Sequence, residues 1–321
     1  MGGMSKLIFK KARILLPKLI NMDDLFYKEE VRCGHTVTSQ MKRLWAVEMG
    51  CLTELKRICE KHGIRYFASG GTLLGAIRHK GFIPWDDDVD VVMMADDYYR
   101  FCEIAPKELK HPYFFQDFNT ESGFGPSKAR IRNSETTGCT KFDYEIADEN
   151  YNCGCFIDIF PMFGVEKGIF RLFRQKLLMR FRILPITGYE MWKKSQRQGK
   201  LRWYMLPFIL CWWIASLLTD HKGLCRRYIK ACGIANHYDE VGLLPFSGFN
   251  RKWIWKKEWY KDIVNMPFEY TDISCPSEYD LILRQQFGDY SVFVKADSNH
   301  TMMLWDPDTP YKDKMVGIIR K

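Results

Sequence analysis

The chain has 321 residues, of which 46% are hydrophobic and 27% are charged, and its formal net charge is +9 at pH 7. This composition excludes a disordered or fibrous chain, and the length allows one large domain or two modest ones. The excess of basic residues favours an anionic partner, but the sequence shows no nucleic-acid-binding motif, internal repeat or low-complexity segment.

The first segment, 1–35, is basic and amphipathic. Lysines and an arginine alternate with Leu, Ile and Phe over 4–20, a pattern typical of a helix that lies on a membrane surface. This segment lacks the small-residue cleavage site of a secretory signal. The sequence over 37–61 then predicts an amphipathic helix that ends at Gly63.

A glycine-rich turn, Gly70-Gly71-Thr72, follows a short predicted strand at 65–69 and opens a predicted helix at 72–78. Two adjacent glycines let the backbone approach a phosphate closely, and the N–H groups at a helix start favour an anion. A Gly-Gly pair on its own is most often only a turn. Its significance therefore depends on the acidic run that follows it.

The acidic run places Asp86, Asp88 and Asp90 at alternate positions of an extended segment, so their carboxylates face one side. Asp87 faces the other side. A solvated loop is the ordinary explanation for such a run, but this one leads directly into an apolar stretch that predicts a buried strand at 89–94. Converging carboxylates repel unless a cation lies among them, and all-oxygen ligands select Mg²⁺ or Mn²⁺. The sequence therefore predicts a metal site here.

A calcium-binding loop is the nearest competing motif. Its twelve-residue template needs Gly at position 6, where this chain has Val91, so we exclude it.

Two later strands add a basic face and one more carboxylate. Lys128, Arg130 and Arg132 alternate with apolar residues, which predicts a strand with one cationic face suited to a polyanion. A solvated basic strand explains this pattern about equally well, but its position between two acidic elements favours contact with a phosphorylated donor. Asp158 lies between isoleucines in a predicted buried strand at 156–160, where a carboxylate is costly without a partner.

Three further elements complete the coarse prediction. They are a helix at 96–105 that ends before Pro106, a strand at 114–118, and a helix at 279–287 that ends at Gly288.

The segment 166–230 combines basic and apolar residues. Five Lys or Arg residues are mixed with apolar ones over 169–183, and the sixteen-residue stretch 203–218 is apolar and rich in Trp. That stretch is shorter than the roughly 20 residues that span a bilayer, and Pro207 interrupts it. We predict a helical hairpin in contact with the membrane surface, with a hairpin buried in the protein core as the alternative. The tryptophans favour the membrane.

The C-terminal part, 231–321, is predicted to complete the catalytic domain. Its aromatic and basic cluster at 252–261 fits glycan binding, although a surface helix explains it more simply. Asp289 and His300 are weak site candidates. The eleven cysteines do not match zinc or redox spacings, which predicts reduced thiols and a cytoplasmic location.

The stretch 67–92 resembles the LicD family of phosphotransferases, which includes phosphorylcholine transferases, is related to the fukutin group and more distantly resembles the polymerase-beta type of nucleotidyltransferase. That pattern is a Gly-Gly-Ser/Thr turn, an Asp-x-Asp pair and a third Asp on a later strand. This chain has Gly70-Gly71-Thr72, Asp88-Val89-Asp90 and Asp158 at those positions. The basic segment 127–133, the Cys153-Gly154-Cys155 approach to Asp158 and Phe287-Gly288-Asp289-Tyr290 extend the resemblance, with Phe287 where the family has Tyr.

The resemblance implies an α+β fold with a nucleotidyltransferase-like mixed β-sheet core and flanking helices at 36–165. The segment 166–230 is then an inserted apolar helical hairpin. The implied activity is metal-dependent transfer of a phospho-alcohol, phosphorylcholine first among them, from CDP-choline or a related CDP-alcohol to a glycan hydroxyl. The glycan is expected to be lipid-linked and reached from the inner face of the membrane, with the enzyme peripheral on that face.

The implied roles fall into two sets. The metal ligands for Mg²⁺ or Mn²⁺ are Asp86, Asp88, Asp90 and Asp158, of which Asp88, Asp90 and Asp158 are catalytic, and Asp158 has proton acceptance as its alternative role. The donor-binding residues are Gly70, Gly71, Thr72, Arg78, Lys128, Arg130 and Arg132.

Three alternatives remain. A nucleotidyltransferase would use the same carboxylates to pass a nucleoside monophosphate to a sugar or small acceptor. A metal-dependent glycosyltransferase also uses Asp-x-Asp, but the upstream Gly-Gly-Thr turn is not expected there. A catalytically silent membrane-associated binding protein is the third, and the intact set of carboxylates counts against it.

Overall fold

The computed structural model describes residues 24–121, 123–147, 150–293 and 302–314. The basic segment predicted at 4–20 and the candidate His300 lie outside these residues. Helices flank a mixed, multi-stranded sheet, as the α+β class predicted.

The strands are β1 Glu30–Arg32, β2 His35–Val37, β3 Phe67–Ala68, β4 Asp90–Met94, β5 Tyr113–Gln116, β6 Ala129–Asn133, β7 Thr137–Thr140, β8 Cys155–Gly164, β9 Glu240–Gly242, β10 Ile254–Lys256, β11 Ile263–Phe268, β12 Thr271–Pro276 and β13 Met302–Asp306. The helices are α1 Ser39–His62, α2 Gly70–His79, α3 Ala95–Glu108, α4 Lys141–Ile146, α5 Ile169–Gln198, α6 Leu206–Ser216, α7 His221–Cys232, α8 Leu244–Ser247 and α9 Tyr279–Phe287. Short 3₁₀ turns lie at Trp203–Met205, Gly233–Ala235, Arg251–Trp253 and Lys257–Tyr260.

The strand β8 is the centre of the main sheet. It pairs in parallel with β4, and it pairs antiparallel with β6 and, further along, with β9. All ten of its residues are buried. A strand covered on both faces is typical of a sheet with helices on either side.

The register of three neighbouring strands brings polar residues into one row. Asp90 at the start of β4 lies opposite Asp158 on β8, and Asp158 lies opposite Arg130 on β6. Residues directly opposite on adjacent strands project from the same face of a sheet. The backbone therefore places these three side chains side by side.

The helix α1 supports the acidic segment. Thr38 caps its start by accepting a hydrogen bond from the N–H of Met41 at 3.2 Å, and Gly63 ends it with φ of 60°. The helix predicted at 37–61 is thus confirmed. Trp45 stacks on Phe82 with ring centroids 4.7 Å apart and donates its indole N–H to the carbonyl of Asp86 at 2.9 Å.

Two predicted boundaries were wrong. The strand predicted at 65–69 is reduced to the two residues of β3. The helix predicted to end before Pro106 continues through it to Glu108. Because Phe101 and Ala105 are fully buried, packing offsets the hydrogen bond that a proline removes from a helix. The predicted end of α9 at Gly288 is confirmed.

Three helices, α5, α6 and α7, occupy the segment in which a two-helix hairpin was predicted. Pro207 lies in the first turn of α6 and does not interrupt it, because that turn needs no donor from this position. The axes of α5 and α6 approach closely at Gly188, where a Cβ atom would lie 2.0 Å from the carbonyl oxygen of Phe208.

No single helix of the described ranges is long and apolar enough to cross a membrane. One pair, Trp203–Ser216 with His221–Ala235, meets the length and composition test jointly and is bent by 100°.

Candidate functional site

The row across β4, β8 and β6 is the centre of the candidate site. Asp158 accepts a hydrogen bond from Nε of Arg130 at 2.8 Å and another from Nζ of Lys128. Burial raises the pKa of Asp158, but the charges of Lys128 and Arg130 outweigh burial and hold that pKa below its usual range. Asp158 is therefore an ionised carboxylate with two cationic partners.

Asp90 has the opposite electrostatic environment. Burial raises its pKa well above the usual range, and the charges of Asp88, Asp158 and Asp86 add to the rise. Its Oδ1 atom is buried and has no hydrogen-bond partner within the described ranges. The four predicted carboxylates thus lie close enough to repel one another.

The glycine turn lies against the acidic segment. The main chain of Gly70 is left-handed, with φ of +53°, and a Cβ atom on Gly71 would lie 2.5 Å from Oδ2 of Asp86. Thr72 accepts a hydrogen bond from the N–H of Asp90 at 2.8 Å. Any side chain at position 71 would therefore displace the carboxylate of Asp86 from its place at the start of α2.

The carboxylates fit a magnesium-type cation by their chemistry. Asp86, Asp88, Asp90 and Asp158 offer oxygen atoms alone, and the buried Oδ1 of Asp90 is an acceptor without a donor. No group of three or more His, Cys, Asp or Glu side chains is prearranged for a metal among the described residues. Because Lys128 and Arg130 hold Asp158, this carboxylate would have to exchange a cationic partner to join the other three.

The basic strand turns its cationic face toward the protein interior. Arg130 is buried and donates through Nη1 to both oxygens of Asp143, at 2.9 and 3.0 Å. Arg132 is fully buried and donates to Gln116, Asp143 and two backbone carbonyls. Lys128 is the most exposed of the three, with 20% of its side chain accessible.

Arg78 and Asp289 lie away from the row. Arg78 is near the C-terminal end of α2, where it donates to the carbonyl of Tyr290 at 3.1 Å and lies over the ring of Phe293. Asp289 is exposed and accepts hydrogen bonds from Ser291 in a local turn. The structure therefore joins neither residue to the carboxylates.

Sequence reasoning missed two acidic residues of this region. Glu48 on α1 is fully buried, and neither carboxylate oxygen has a hydrogen-bond partner among the described residues. Burial raises its pKa well above the usual range, and the charge of Asp88 adds to this. The spacing of Glu48 from Leu44 and Leu52, four residues to either side, places it on the apolar helix face, so the sequence did contain a signal. The second residue, Asp143, had a weaker signal, because its spacing from Thr140 is that of a capping box, which marks the start of a helix and not a site.

Residues 63–171 match the family model described as "LicD/FKTN/FKRP, nucleotidyltransferase domain". The matched range contains the glycine turn, the acidic segment, the basic strand and Asp158. The chain carries a LicD-family domain.

Two of the individual proteins that this chain resembles are named transferases. The chain is 28% identical over 240 residues to the lipopolysaccharide cholinephosphotransferase LicD of Haemophilus influenzae, covering 73% of this chain and 84% of that protein. It is 37% identical over 82 residues to human ribitol 5-phosphate transferase FKRP, which is 22% of this chain and 16% of that protein. An uncharacterised Rickettsia typhi protein is 41% identical over 56 residues, 17% of this chain and 18% of that protein.

Proposed function

We propose that this chain transfers a phospho-alcohol, phosphorylcholine first among the candidates, from a CDP-activated alcohol to a glycan hydroxyl in a metal-dependent reaction. The row of Asp90, Asp158 and Arg130 beside the glycine turn carries the proposal. It combines carboxylates for a cation with a helix start and a lysine suited to phosphate. The similarity to a cholinephosphotransferase and a ribitol 5-phosphate transferase supports the phospho-alcohol as the transferred group.

The metal ligands in this proposal are Asp86, Asp88 and Asp90, joined by Asp158 once it releases a cationic partner. A bound Mg²⁺ or Mn²⁺ would neutralise the donor phosphates and orient them for in-line displacement. The low pKa of Asp158 makes it a weak proton acceptor, so the role of metal ligand suits it better than that of base.

The donor contacts come from the start of α2 and from the basic strand. The backbone N–H groups of Gly70 and Gly71 donate to donor phosphate oxygens, and the hydroxyl of Thr72 keeps its own hydrogen for donation while its oxygen accepts from Asp90. Lys128 neutralises charge on the leaving CMP, and Arg130 holds Asp158 beside it.

Arg132 and Arg78 have different roles in this proposal. Arg132, whose donors all go to the protein interior, supports the strand from behind. A contact between Arg78 and the donor stays a prediction, on the outer end of α2.

The reaction forms one bond and breaks one. The acceptor hydroxyl oxygen attacks the phosphorus that carries the alcohol, and the bond from that phosphorus to the bridging oxygen breaks. CMP leaves with the electron pair, and the hydroxyl proton passes to solvent. The products are the phospho-alcohol ester of the glycan and CMP.

The setting of the reaction is part of the proposal. We place a nucleotidyltransferase-like core at 36–165, completed by 231–321 and interrupted by the helical insertion 166–230. We also propose that the acceptor glycan is lipid-linked and that the enzyme works in the cytoplasm, peripheral on the inner face of the membrane.

Nucleotidyl transfer is the second candidate, because the description of the matching family model names a nucleotidyltransferase domain. In that reaction the acceptor carries a nucleoside monophosphate. Mass spectrometry of the acceptor product distinguishes a phospho-alcohol adduct from a nucleotide adduct.

The test is metal-dependent CMP release from CDP-choline, CDP-glycerol and CDP-ribitol in the presence of a glycan acceptor. Asp88→Asn and Asp90→Asn are expected to lower CMP release by about a hundredfold or more, because metal stabilisation of charge is worth several kcal/mol. The exposed Asp96→Asn on α3 is the matched control and should retain wild-type release. Wild-type release in folded Asp88→Asn or Asp90→Asn protein, checked by circular dichroism, would remove the site assignment.

A further inference from the structure

Nearly all of the net positive charge lies in one segment. Residues 167–218 contain eleven Lys and Arg residues and one Glu, a formal charge of +10, whereas the whole chain carries +9. The rest of the chain is therefore close to neutral. A partner that this charge attracts meets the protein at α5 and α6.

The same segment exposes large apolar side chains. The helix α6 has no buried residue, although most of its sequence is apolar. Phe170 is 87% exposed and Trp203 is 83% exposed, and more than half of the surface of Phe173, Phe181, Leu210 and Trp213 is also exposed. We call these six residues the docking surface. So many exposed large apolar side chains within one segment of the chain are unusual for a soluble monomer.

The two helices that carry the docking surface pack against each other and against the protein core. Trp192 on α5 stacks on Trp212 on α6 with ring centroids 5.0 Å apart, and the close approach at Gly188 fixes the helix pair. Ile183 and Ala215 pack against the same core cluster. The exposed side chains thus belong to helices that are packed on the rest of the protein.

The arginines beside the docking surface are available to an external anion. Arg180 and Arg182 are exposed, and neither has an ion pair or hydrogen bond with any described residue. By contrast, Arg171 donates to Tyr238 and Arg174 pairs with Glu166. The exposed arginines flank the exposed Phe181 in the same helix, and this combination matches the layered chemistry of a bilayer, in which anionic headgroups lie above apolar chains.

We infer that α5 and α6 dock this protein on an anionic lipid bilayer. The docking surface enters the boundary between headgroups and acyl chains, while Arg180 and Arg182 contact the headgroup phosphates. This inference deepens the proposed function, since a docked enzyme would meet a lipid-linked acceptor at the bilayer surface. Binding to the bilayer does not depend on turnover of the CDP-activated donor, so the two can be tested separately.

The experiment is flotation of the full chain with vesicles of phosphatidylcholine and phosphatidylglycerol in equal parts, compared with phosphatidylcholine alone. The wild type should float with the anionic vesicles, with a blue shift of Trp emission, and added NaCl should weaken the binding. Arg180→Glu with Arg182→Glu should weaken vesicle binding at least about tenfold, because each basic residue near such a surface contributes about 1 kcal/mol. Phe170→Ser with Trp213→Ser should weaken it on both kinds of vesicle.

The matched controls lie elsewhere on the exposed surface. Lys28→Glu with Lys252→Glu controls for charge, Val31→Ser with Leu281→Ser controls for apolar exposure, and both should bind as the wild type does. The docking variants should also release CMP at the wild-type rate when no vesicles are present. A failure of the proposed reaction can therefore be told apart from a failure of docking. Absence of flotation by the wild type, or undiminished flotation of the folded docking variants, would overturn the inference. A solution dimer that Phe170→Ser with Trp213→Ser abolishes, without vesicle binding by the wild type, would assign this surface to a second copy of the chain.

Discussion

Asp143 is the residue on which the polar interior of the site depends. It is fully buried and accepts hydrogen bonds from Arg130, Arg132, Thr140 and Tyr151. Burial raises its pKa, but the two guanidinium groups outweigh burial and hold that pKa well below the usual range. Through Arg130, Asp143 also fixes the partner of Asp158.

Asp143→Asn should therefore destabilise the fold strongly. Breaking one side of a buried ion-pair network leaves uncompensated charge, which typically costs about 3–5 kcal/mol. Urea unfolding should show this loss, and the exposed Asp289→Asn should change stability by less than about 0.5 kcal/mol. A stability near that of the wild type in Asp143→Asn would mean that the two arginines are balanced by other groups.

The buried carboxyl of Glu190 on α5 should make the stability of the protein depend on pH. Burial raises the pKa of this carboxyl from 4.5 to about 7, and a Cβ atom on Gly125 would lie 3.3 Å from its Oε1. Because the folded state binds the proton more tightly than the unfolded state, stability should fall as the pH rises from about 4.5 to about 7. Above pH 7 this contribution is constant.

Glu190→Gln should remove that dependence. The variant should resemble the wild type near pH 5 and exceed its stability at pH 8, by up to roughly 3 kcal/mol, since each unit of pKa shift corresponds to slightly more than 1 kcal/mol. Urea unfolding at both pH values measures the difference, with the exposed Glu60→Gln as control. An equal difference at the two pH values would show that Glu190 does not titrate in this range.

At the scale of elements, the start of α2 lies so close to the acidic segment that a single methyl group can test the contact. A methyl group on Gly71 would collide with the carboxylate of Asp86. Gly71→Ala should therefore displace that carboxylate and weaken Mg²⁺ binding and CMP release at least about tenfold, as expected when a ligand is moved. Calorimetry with Mg²⁺ measures the first effect without depending on the second.

The control for this glycine is Gly199, which ends α5 with φ of 60° and has open space around its Cβ position. Gly199→Ala should cost about 1 kcal/mol of stability through backbone strain and leave Mg²⁺ binding unchanged. Equal Mg²⁺ affinity in Gly71→Ala and the wild type would show that Asp86 is not a ligand.

Sequence periodicity predicted the elements whose pattern is local. The helix α1 and the strands β4, β6 and β8 were all predicted within a few residues, because apolar spacing and a capping glycine mark them directly. Periodicity could not tell whether the cationic face of β6 points to solvent. Basic and apolar residues alternate along the strand in the same way whether Arg132 is exposed or buried. The partner that decides this, Asp143, follows eleven residues later, and its only local pattern, the capping-box spacing from Thr140, indicates the start of α4 and says nothing about the arginines.

At the scale of the whole molecule, the candidate site and the excess of basic residues lie in different parts of the structure. The carboxylate row lies at the centre of the main sheet, whereas the excess basic charge lies on the helices of 167–218. Composition alone predicted an anionic partner but could not say which surface would meet it. The basic residues in fact fall into two groups, with Lys128, Arg130 and Arg132 beside the carboxylates and a larger group on the helices of 167–218.

The pairing of Asp90 with Asp158 has a mechanical consequence. A slip of one residue between β4 and β8 would turn every side chain of the slipped strand to the opposite face, so the site depends on main-chain alignment more than on rotamers. Val91 and Ile159, which are opposite each other and fully buried in the next position of the ladder, keep that alignment. Enlarging or shrinking either core residue would therefore shift Asp90 relative to Asp158, although neither side chain belongs to the carboxylate row.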